Sequence, residues 1–115
     1  MLFNNFYYGM PENHPMNVKE SDGEWEVEFR ATGLTKEDVQ IEYKGEDVLW
    51  IKAGDREKEK KEEYNRHEFW KDYFDTQLQL PSGIDTDSIE AKVENGILYI
   101  TIPKSKEGQR KIEVK

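Results

Sequence analysis

The sequence predicts an all-β domain, an antiparallel sandwich of roughly seven short strands. Two observations support this fold class. Apolar and polar residues alternate over several short stretches, and no long stretch keeps a helical period. Pairs of residues typical of turns separate those stretches, each pair ending in glycine. The pairs are Asp22-Gly23, Thr32-Gly33, Lys44-Gly45 and Asn95-Gly96.

The first predicted strands follow the alternation directly. Met16 and Val18 indicate a short strand near the start of the chain. The clearest strand comes next, where Trp25, Val27 and Phe29 alternate with charged residues, as expected when one face is buried and the other is solvated.

The middle of the chain carries three further strand signals. Val39, Ile41 and Tyr43 repeat the alternation. Residues 48–53 form a more continuous apolar run, which predicts a strand covered on both faces. Residues 69–80 predict one long strand, because large apolar residues recur there at even spacings before a Pro-Ser-Gly break.

A hairpin near the end of the chain is the strongest local signal. Asn95-Gly96 supplies the positive φ angles that a tight two-residue turn requires. Apolar residues alternate outward from the turn: Ile89, Ala91 and Val93 before it, Ile97 or Leu98 and Ile100 after it. Pro103 is expected to end the second strand, because proline cannot donate to the ladder.

Two segments carry helix-like signals. Residues 35–38 have the spacing of a helix N-cap, with room for a single turn before the next strand begins. Residues 55–66 are rich in Glu and Lys, but Tyr64 is their only apolar residue, so a helix there would have no face to bury. We therefore interpret residues 55–66 as an extended, mobile, solvated loop.

Composition narrows the possible partners. The 115 residues suit one domain, 35% are hydrophobic and 37% are charged, so the core must be small. The net charge is −8 with no strongly basic run, which predicts no nucleic acid or anionic membrane as partner. The chain has no cysteine, no apolar run long enough for a membrane span and no export-signal pattern at its N-terminus. We expect a cytoplasmic protein.

The sequence predicts no enzyme, no cofactor and no metal. His14 and His67 are isolated from any pattern of metal ligands. Carboxylates are abundant, but none forms a specific acid–base pair, and no glycine-rich phosphate loop is present.

Six motifs, in one order along the chain, resemble those of the small heat-shock proteins. Residues 15–20 resemble P-x-x-N/D-x-x-E, and residues 31–39 resemble A-x-x-P-G-x-x-K-E-D-V without its usual proline. Residues 49–53 with Arg56 resemble L-x-I-x-G/A and its following basic residue, and Leu80-Pro81 precede an acidic stretch at 85–89. Residues 91–98 resemble A-x-x-x-N-G-V-L with Ile97 for Val, and Ile112-x-Val114 resembles I-x-I/V. One departure is Thr76, where the family usually carries Arg at a dimer contact.

This resemblance implies an immunoglobulin-like sandwich of the α-crystallin type with a short N-terminal arm and a C-terminal tail. The arm would be residues 1–13, the α-crystallin domain 14–103 with a charged dimerisation loop at 55–66, and the tail 104–115. The implied function is that of an ATP-independent holdase. Such a protein binds partly unfolded client proteins, prevents their aggregation and forms homodimers and higher homo-oligomers.

The resemblance, together with the residue types, predicts three sets of site residues. The expected client-binding residues are the arm aromatics Phe3, Phe6, Tyr7 and Tyr8. The expected tail motif is Ile112 and Val114, docking in a groove formed by Val39, Ile41, Tyr43, Ile89, Ala91 and Val93. The expected dimer contacts are Met16, Val18, Glu62, Glu63 and Tyr64, through pairing of the 55–66 loop with the partner's first strand.

Simpler interpretations remain beside these. The arm could fold back on its own sandwich, the tail could be a frayed end, and the 55–66 loop could be a plain solvated connection. At the level of function, the alternatives are a monomeric adaptor of the p23-like co-chaperone type, a structural β-sandwich binding module, or an unrecognised hydrolase on this scaffold.

Overall fold

The computed structural model describes residues 7–8, 14–106 and 114. Within these residues there are eight strands: β1 (Tyr7–Tyr8), β2 (Met16–Glu20), β3 (Glu24–Arg30), β4 (Val39–Gly45), β5 (Val48–Ala53), β6 (Phe74–Gln79), β7 (Glu90–Glu94) and β8 (Ile97–Pro103). One short helix, α1 (Arg56–Lys60), and two single 3₁₀ turns, Lys36–Asp38 and Thr86–Ser88, complete the regular structure. The predicted all-β class is confirmed.

The strands form two four-stranded sheets, and every pairing is antiparallel. The first sheet has the order β1-β6-β5-β4, and the second has the order β2-β3-β8-β7. Strands β4 and β7 therefore each lie at the end of a sheet, as does β2. The core fills the space between the two sheets, as in other β-sandwiches.

Alternation decides which side chains enter the core. Trp25, Val27 and Phe29 of β3 are all buried, as the sequence predicts. On β8 the buried residues are Leu98, Ile100 and Ile102, which resolves the choice between Ile97 and Leu98 in favour of Leu98. The opposite sheet supplies the facing side of the core from β5 and β6: Leu49, Ile51, Ala53, Phe74 and Leu78.

Strand β5 is covered on one face only, so the prediction of a doubly covered strand is wrong. Its burial alternates, and Trp50 and Lys52 are half-buried on the outer face. The indole Nε1 of Trp50 donates to Oδ1 of Asp75 at 2.6 Å on the neighbouring strand. The apolar run arises because an outward-facing tryptophan, held by a carboxylate, interrupts the usual polar pattern.

The predicted strand over residues 69–80 is too long at its start. Strand β6 begins at Phe74, whereas Phe69 is 76% exposed. Phe74 pairs with Ala53, the last residue of β5, so the residues before Phe74 have no ladder partner on that strand. The apolar residues at 69–73 therefore lie in the connection and not in the sheet.

Residues 55–66 contain a helix, so the prediction of an extended loop is wrong there. Asp55 caps α1 by accepting a hydrogen bond from the Lys58 backbone N–H at 2.9 Å. Glu59 is 9% exposed, and its carboxylate accepts from the Lys71 backbone N–H at 2.8 Å. The helix is anchored by one buried polar side chain and not by an apolar face. Residues 61–66 are exposed, as expected.

The two predicted turns with special chemistry are confirmed. Asn95 and Gly96 have φ angles of 52° and 76°, in the left-handed region. At the N-cap pattern, Thr35 donates its backbone N–H to the Asp38 carboxylate at 2.8 Å, and a single 3₁₀ turn follows.

Candidate functional site

An apolar groove lies between strands β4 and β7, each of which has one edge without a strand partner among the described residues. Strand β4 ends one sheet and β7 ends the other, and residues from both strands line a cavity of about 200 Å³. Leu98 of β8 is buried, while Val39, Ile41 and Val93 are half-buried and packed against the core. The lining residues are Lys36, Val39, Ile41, Ala91, Lys92, Val93 and Leu98.

Four of the six predicted groove residues line this cavity: Val39, Ile41, Ala91 and Val93. Tyr43 does not, and its hydroxyl accepts a hydrogen bond from the Asp47 backbone N–H at 3.1 Å. Ile89 precedes β7 and packs against the core.

Sequence reasoning missed three of the groove's lining residues. Leu98 follows the hairpin turn, where the alternation left Ile97 and Leu98 as alternatives and did not point to a groove. Lys36 and Lys92 carried no signal, because a lysine in an alternating strand or a turn is ordinarily a solvated residue. Together they make the groove apolar inside with two cationic side chains in its lining.

The groove and the tail motif do not meet within the described residues. Val114 is 91% exposed, and Ile112 lies outside the described residues. Strands β4 and β7 each have an edge without a strand partner in the part of the chain that the structure describes. Such an edge can add an extended segment, with alternate side chains entering a neighbouring groove.

The N-terminal arm is described only at β1. Tyr7 pairs with Leu78, and Tyr8 pairs with Gln77, so these two residues lie along the outer edge of β6. Phe3 and Phe6 lie outside the described residues. The pairing of β1 agrees with the arm folding back on its own sandwich.

The predicted dimer contacts lie on two separate elements. Met16 and Val18 of β2 are half-buried against the core, and β2 ends its sheet. Glu62, Glu63 and Tyr64 are exposed in the connection after α1.

Thr76, where the resemblance to the small heat-shock proteins leads us to expect arginine, lies on the inner face of β6. It is buried, and its hydroxyl has no hydrogen-bond partner among the described residues. It pairs with Ile51 across the sheet, so the side chain faces the core. A charged residue in that position would need a partner of its own.

A cluster in residues 55–73 was not predicted. The Arg56 guanidinium lies 4.7 Å from the centre of the Trp70 ring, and its Nη1 lies 3.5 Å from Oε1 of Glu59. Tyr64 stacks on His67 at 4.8 Å, and His67 meets Trp70 edge-on at 4.3 Å. Cation–π and ring contacts thus connect α1 to the residues that precede β6. These residue types are visible in the sequence, but which of them contact one another is not.

Two ion pairs shift the ionisation of their members. On β2 and β3, Nζ of Lys19 lies 3.2 Å from Oε2 of Glu28. The pKa of Glu28 is lowered by the hydrogen bond from Asn17 and then by that from Lys19, while the pKa of Lys19 is raised by Glu28. Burial alone would raise the pKa of Asp72, but hydrogen bonds from Arg30 and from the Thr32 backbone outweigh it and lower the pKa.

The described residues contain no arrangement of three or more His, Cys, Asp or Glu that could hold a metal ion. Among the helices that the structure describes, none is long and apolar enough to span a membrane. The described residues offer an apolar groove, the edges of β2, β4 and β7 and an aromatic connection, which suit binding by strand addition and by apolar contact.

The chain is similar to proteins of one family. Residues 17–115 match the model of the Hsp20/alpha crystallin family. The chain is 38% identical over 102 residues to small heat shock protein C2 of Rickettsia felis, covering 86% of this chain and 66% of the relative. It is 36% identical over 104 residues to a chloroplastic small heat shock protein of Solanum lycopersicum, covering 87% of this chain and 42% of that relative.

Solved structures share the fold. Heat shock protein 16.0 from Schizosaccharomyces pombe superposes with a TM-score of 0.62 at 30% identity, covering 89% of this chain and 75% of that chain. A small heat-shock protein from Xylella fastidiosa gives a TM-score of 0.66 at 24% identity, covering 90% of this chain and 97% of that chain. The α-crystallin type of sandwich is thereby confirmed.

Proposed function

The chain belongs to the Hsp20/alpha crystallin family, and on that premise we propose that it is an ATP-independent holdase acting as a dimer-based oligomer. It would bind partly unfolded client proteins and lower the free concentration of the species that aggregate. Small heat-shock proteins are non-enzymatic chaperones, in agreement with the prediction that this chain is not an enzyme.

The apolar groove between the free edges of β4 and β7 carries this proposal. Ile112 and Val114 are two residues apart, so in an extended tail their side chains point the same way. Burying both in a neighbouring subunit's groove would contribute about 3–6 kcal/mol. Ordering each tail residue costs about 1–2 kcal/mol, so one contact is weak and exchangeable. Many such contacts in one assembly hold it together while each can open.

The dimer is proposed to form through the connection after α1. Glu62, Glu63 and Tyr64 are exposed there, and Met16 and Val18 lie on β2, which has one edge without a strand partner among the residues that the structure describes. An exposed segment and a free strand are the two parts that strand exchange between subunits requires.

Clients are proposed to bind the arm aromatics Phe3, Phe6, Tyr7 and Tyr8. Flexible aromatic segments bury large areas without demanding a fixed shape from the partner. The pairing of β1 with β6 supports an arm that rests on the sandwich, and we propose that it is released when clients accumulate. A net charge of −8 would keep the loaded complex in solution.

A turbidity assay tests the holdase activity. A heat-labile client is warmed with the full chain, with an equal mass of an inert protein, or alone, each with and without ATP. We expect the chain to suppress light scattering equally in both nucleotide conditions. Scattering equal to that with the inert protein would reject the holdase proposal, and a requirement for ATP would reject its mechanism.

Native mass spectrometry tests the assembly. Replacing both tail residues, Ile112→Ala with Val114→Ala, should shift the mass distribution from higher oligomers to dimers. The matched control replaces the interleaved polar residues, Lys111→Ala with Glu113→Ala, and should leave the distribution in place. An unchanged distribution in the first variant would contradict tail docking, and a monomeric wild-type chain would favour the p23-like adaptor.

Deleting residues 1–9 tests the arm. The truncated chain should protect clients less while its domain unfolds at an unchanged temperature. Full protection by the truncated chain would remove the arm from the mechanism.

We propose the cytoplasm as the compartment and neither nucleic acid nor membrane as a partner. The acidic charge supports the second point, because both partners require concentrated cationic residues. Relatives named chloroplastic and mitochondrial show that the family is not confined to one compartment. Cell fractionation tests the compartment. A mobility-shift assay tests binding to nucleic acid, and vesicle flotation tests binding to membrane.

A further inference from the structure

The chain is held in place where it leaves strand β8. The Lys104 backbone N–H donates to the Gly23 carbonyl at 2.9 Å. The Ser105 backbone N–H donates to the Gly83 carbonyl at 2.8 Å, and Ile84 forms an antiparallel bridge with Lys104. The extended course of β8 therefore continues past the end of the strand as far as Ser105.

The side chain of Lys104 adds to this anchor. Its Nζ lies 2.8 Å from Oε2 of Glu20, the last residue of β2, and 5.4 Å from the centre of the buried Trp25 ring. The Lys104 side chain is 13% exposed, so water screens this pair less than it screens a pair on the open surface. We call these side-chain contacts and the backbone hydrogen bonds of residues 104 and 105 the exit clamp.

The exit clamp directs the chain away from its own groove. On the β7 side the groove lies level with residues 98–100 of β8, because Leu98 lines it and the lining residue Ala91 pairs with Ile100. Strand β8 runs from that level towards Ser105, which lies about 17–23 Å further on at about 3.3 Å per residue. A tail that returned to its own groove would have to reverse its direction and cover this length again.

The length of the tail decides whether such a return is possible. A turn takes about four residues and moves the chain less than about 7 Å, so it covers the sideways step but none of the return. With the exit clamp closed, a turn starting at Ser105 leaves about four residues to Ile112, a reach of at most about 14 Å. With the exit clamp open, a turn starting at Pro103 leaves about six residues, a reach of at most about 20 Å for a return of about 10–17 Å. Only the open clamp brings the chain's own groove within reach.

We propose that Lys104 is a positioning residue that reserves the groove for the tail of a second copy of the chain. While the exit clamp is closed, the tail docks only on a neighbouring subunit and so joins the assembly. When the exit clamp opens, Ile112 and Val114 can enter the groove of their own subunit, which withdraws both the tail and the groove from the assembly. This inference rests on the proposed function, in which the tail motif docks in the groove.

Hydrogen exchange on the full chain at two concentrations separates the two modes of docking. Docking on a second copy depends on concentration by mass action, whereas docking within one chain does not. In the wild type, amides of β4 and β7 should be protected at high concentration and should exchange at least about tenfold faster after dilution by about a hundredfold. In Lys104→Met, which keeps an unbranched side chain beside Trp25 and loses the charge, that protection should survive dilution. The Ser105 amide should exchange roughly tenfold faster in this variant, because a charge-assisted hydrogen bond of the exit clamp is lost.

Lys44→Met is the matched control. The Nζ of Lys44 lies 2.9 Å from Oε2 of Glu42 and 5.1 Å from the centre of the Trp50 ring, so it makes the same two kinds of contact. Its side chain is 49% exposed, and the residue does not belong to the groove lining. This variant should keep the concentration dependence of the wild type. Lys104→Arg keeps the cation in the exit clamp and should do the same.

Two further variants make the result decisive. Glu20→Gln removes the carboxylate that Lys104 binds and should reproduce the effect of Lys104→Met, even if Lys104→Met does not fold. Adding Ile112→Ala and Val114→Ala to Lys104→Met should remove the protection at both concentrations, because the tail motif is what covers the groove.

Three outcomes would overturn the inference. Protection that Lys104→Met and Glu20→Gln lose on dilution as the wild type does would leave Lys104 without a role in directing the tail. Protection of the wild type that survives dilution would show that the closed exit clamp permits docking within one chain. Both outcomes leave tail docking itself intact, whereas a wild type without protection at either concentration would reject tail docking and this inference with it.

Discussion

Strand β3 and the 55–73 connection obey different rules. In β3 every second residue is buried, and the alternation of the sequence predicts each of them. In the connection the buried residue is a glutamate, and the large aromatics are exposed. The strand is organised by many equivalent apolar contacts, whereas the connection is organised by a few polar ones. Hydrophobic periodicity therefore predicts the buried core, but it does not predict surface segments whose conformation depends on a single hydrogen bond.

Replacing phenylalanine by alanine should have very different effects on stability in the two regions. Phe29 is fully buried in β3 and stacks on Phe74, whereas Phe69 is largely exposed. Phe29→Ala should lower the free energy of unfolding by about 3–5 kcal/mol. Phe69→Ala should change it by less than about 0.5 kcal/mol. Urea unfolding measures both, and similar losses would mean that Phe69 is buried in the assembled protein.

Two glycines with the same backbone angle test how closely the connection is held. Gly54 and Gly45 both have φ of 86°, but a Cβ would meet the Asp72 backbone at Gly54 and open space at Gly45. Gly45→Ala should cost about 1–2 kcal/mol from left-handed strain. Gly54→Ala should cost about 2–4 kcal/mol, because overpacking adds to that strain. Equal losses in chemical denaturation would show that residues 71–73 can move away freely.

The buried carboxylate of α1 offers a smaller effect. Glu59→Ala leaves the Lys71 N–H without its acceptor and the Arg56 guanidinium without its ion-pair partner, at a cost of about 1–3 kcal/mol. The control is Glu57→Ala in the same helix, where the side chain is 78% exposed and no such loss is expected. Hydrogen exchange at Lys71 should rise in the first variant only, and protection retained there would contradict the anchoring role.

Acid should produce the smallest effect, and its sign follows from the lowered pKa of Asp72. A carboxyl whose pKa is depressed on folding stabilises the protein above its unfolded pKa of about 3.9, and that stability is lost as the pH falls through the folded value. The difference in urea midpoint between wild type and Asp72→Asn should therefore be largest near neutral pH and shrink on acidification below about 4. A difference independent of pH would contradict a charge-based anchor.

Only part of the candidate site could be predicted from the sequence. Val39 and Ile41 are two residues apart, as are Ala91 and Val93, so each pair lies on one face of its strand. All four were predicted to line the groove, and all four line it. Tyr43 and Ile89 belong to the same patterns but fall outside the lining, because the groove covers only part of each edge. How far two edges run side by side depends on sheet packing, which no single strand encodes.

The two-sheet core, the Asn95-Gly96 hairpin and the family could all be predicted from the sequence. Each of these rests on a local pattern that repeats or on turn chemistry confined to adjacent residues. The tertiary structure alone decided the helix at Arg56–Lys60, the start of β6 at Phe74 and the meeting of Arg30 with Asp72. Arg30 and Asp72 are 42 positions apart, and a contact between two single charged residues at that separation leaves no periodic trace in the chain.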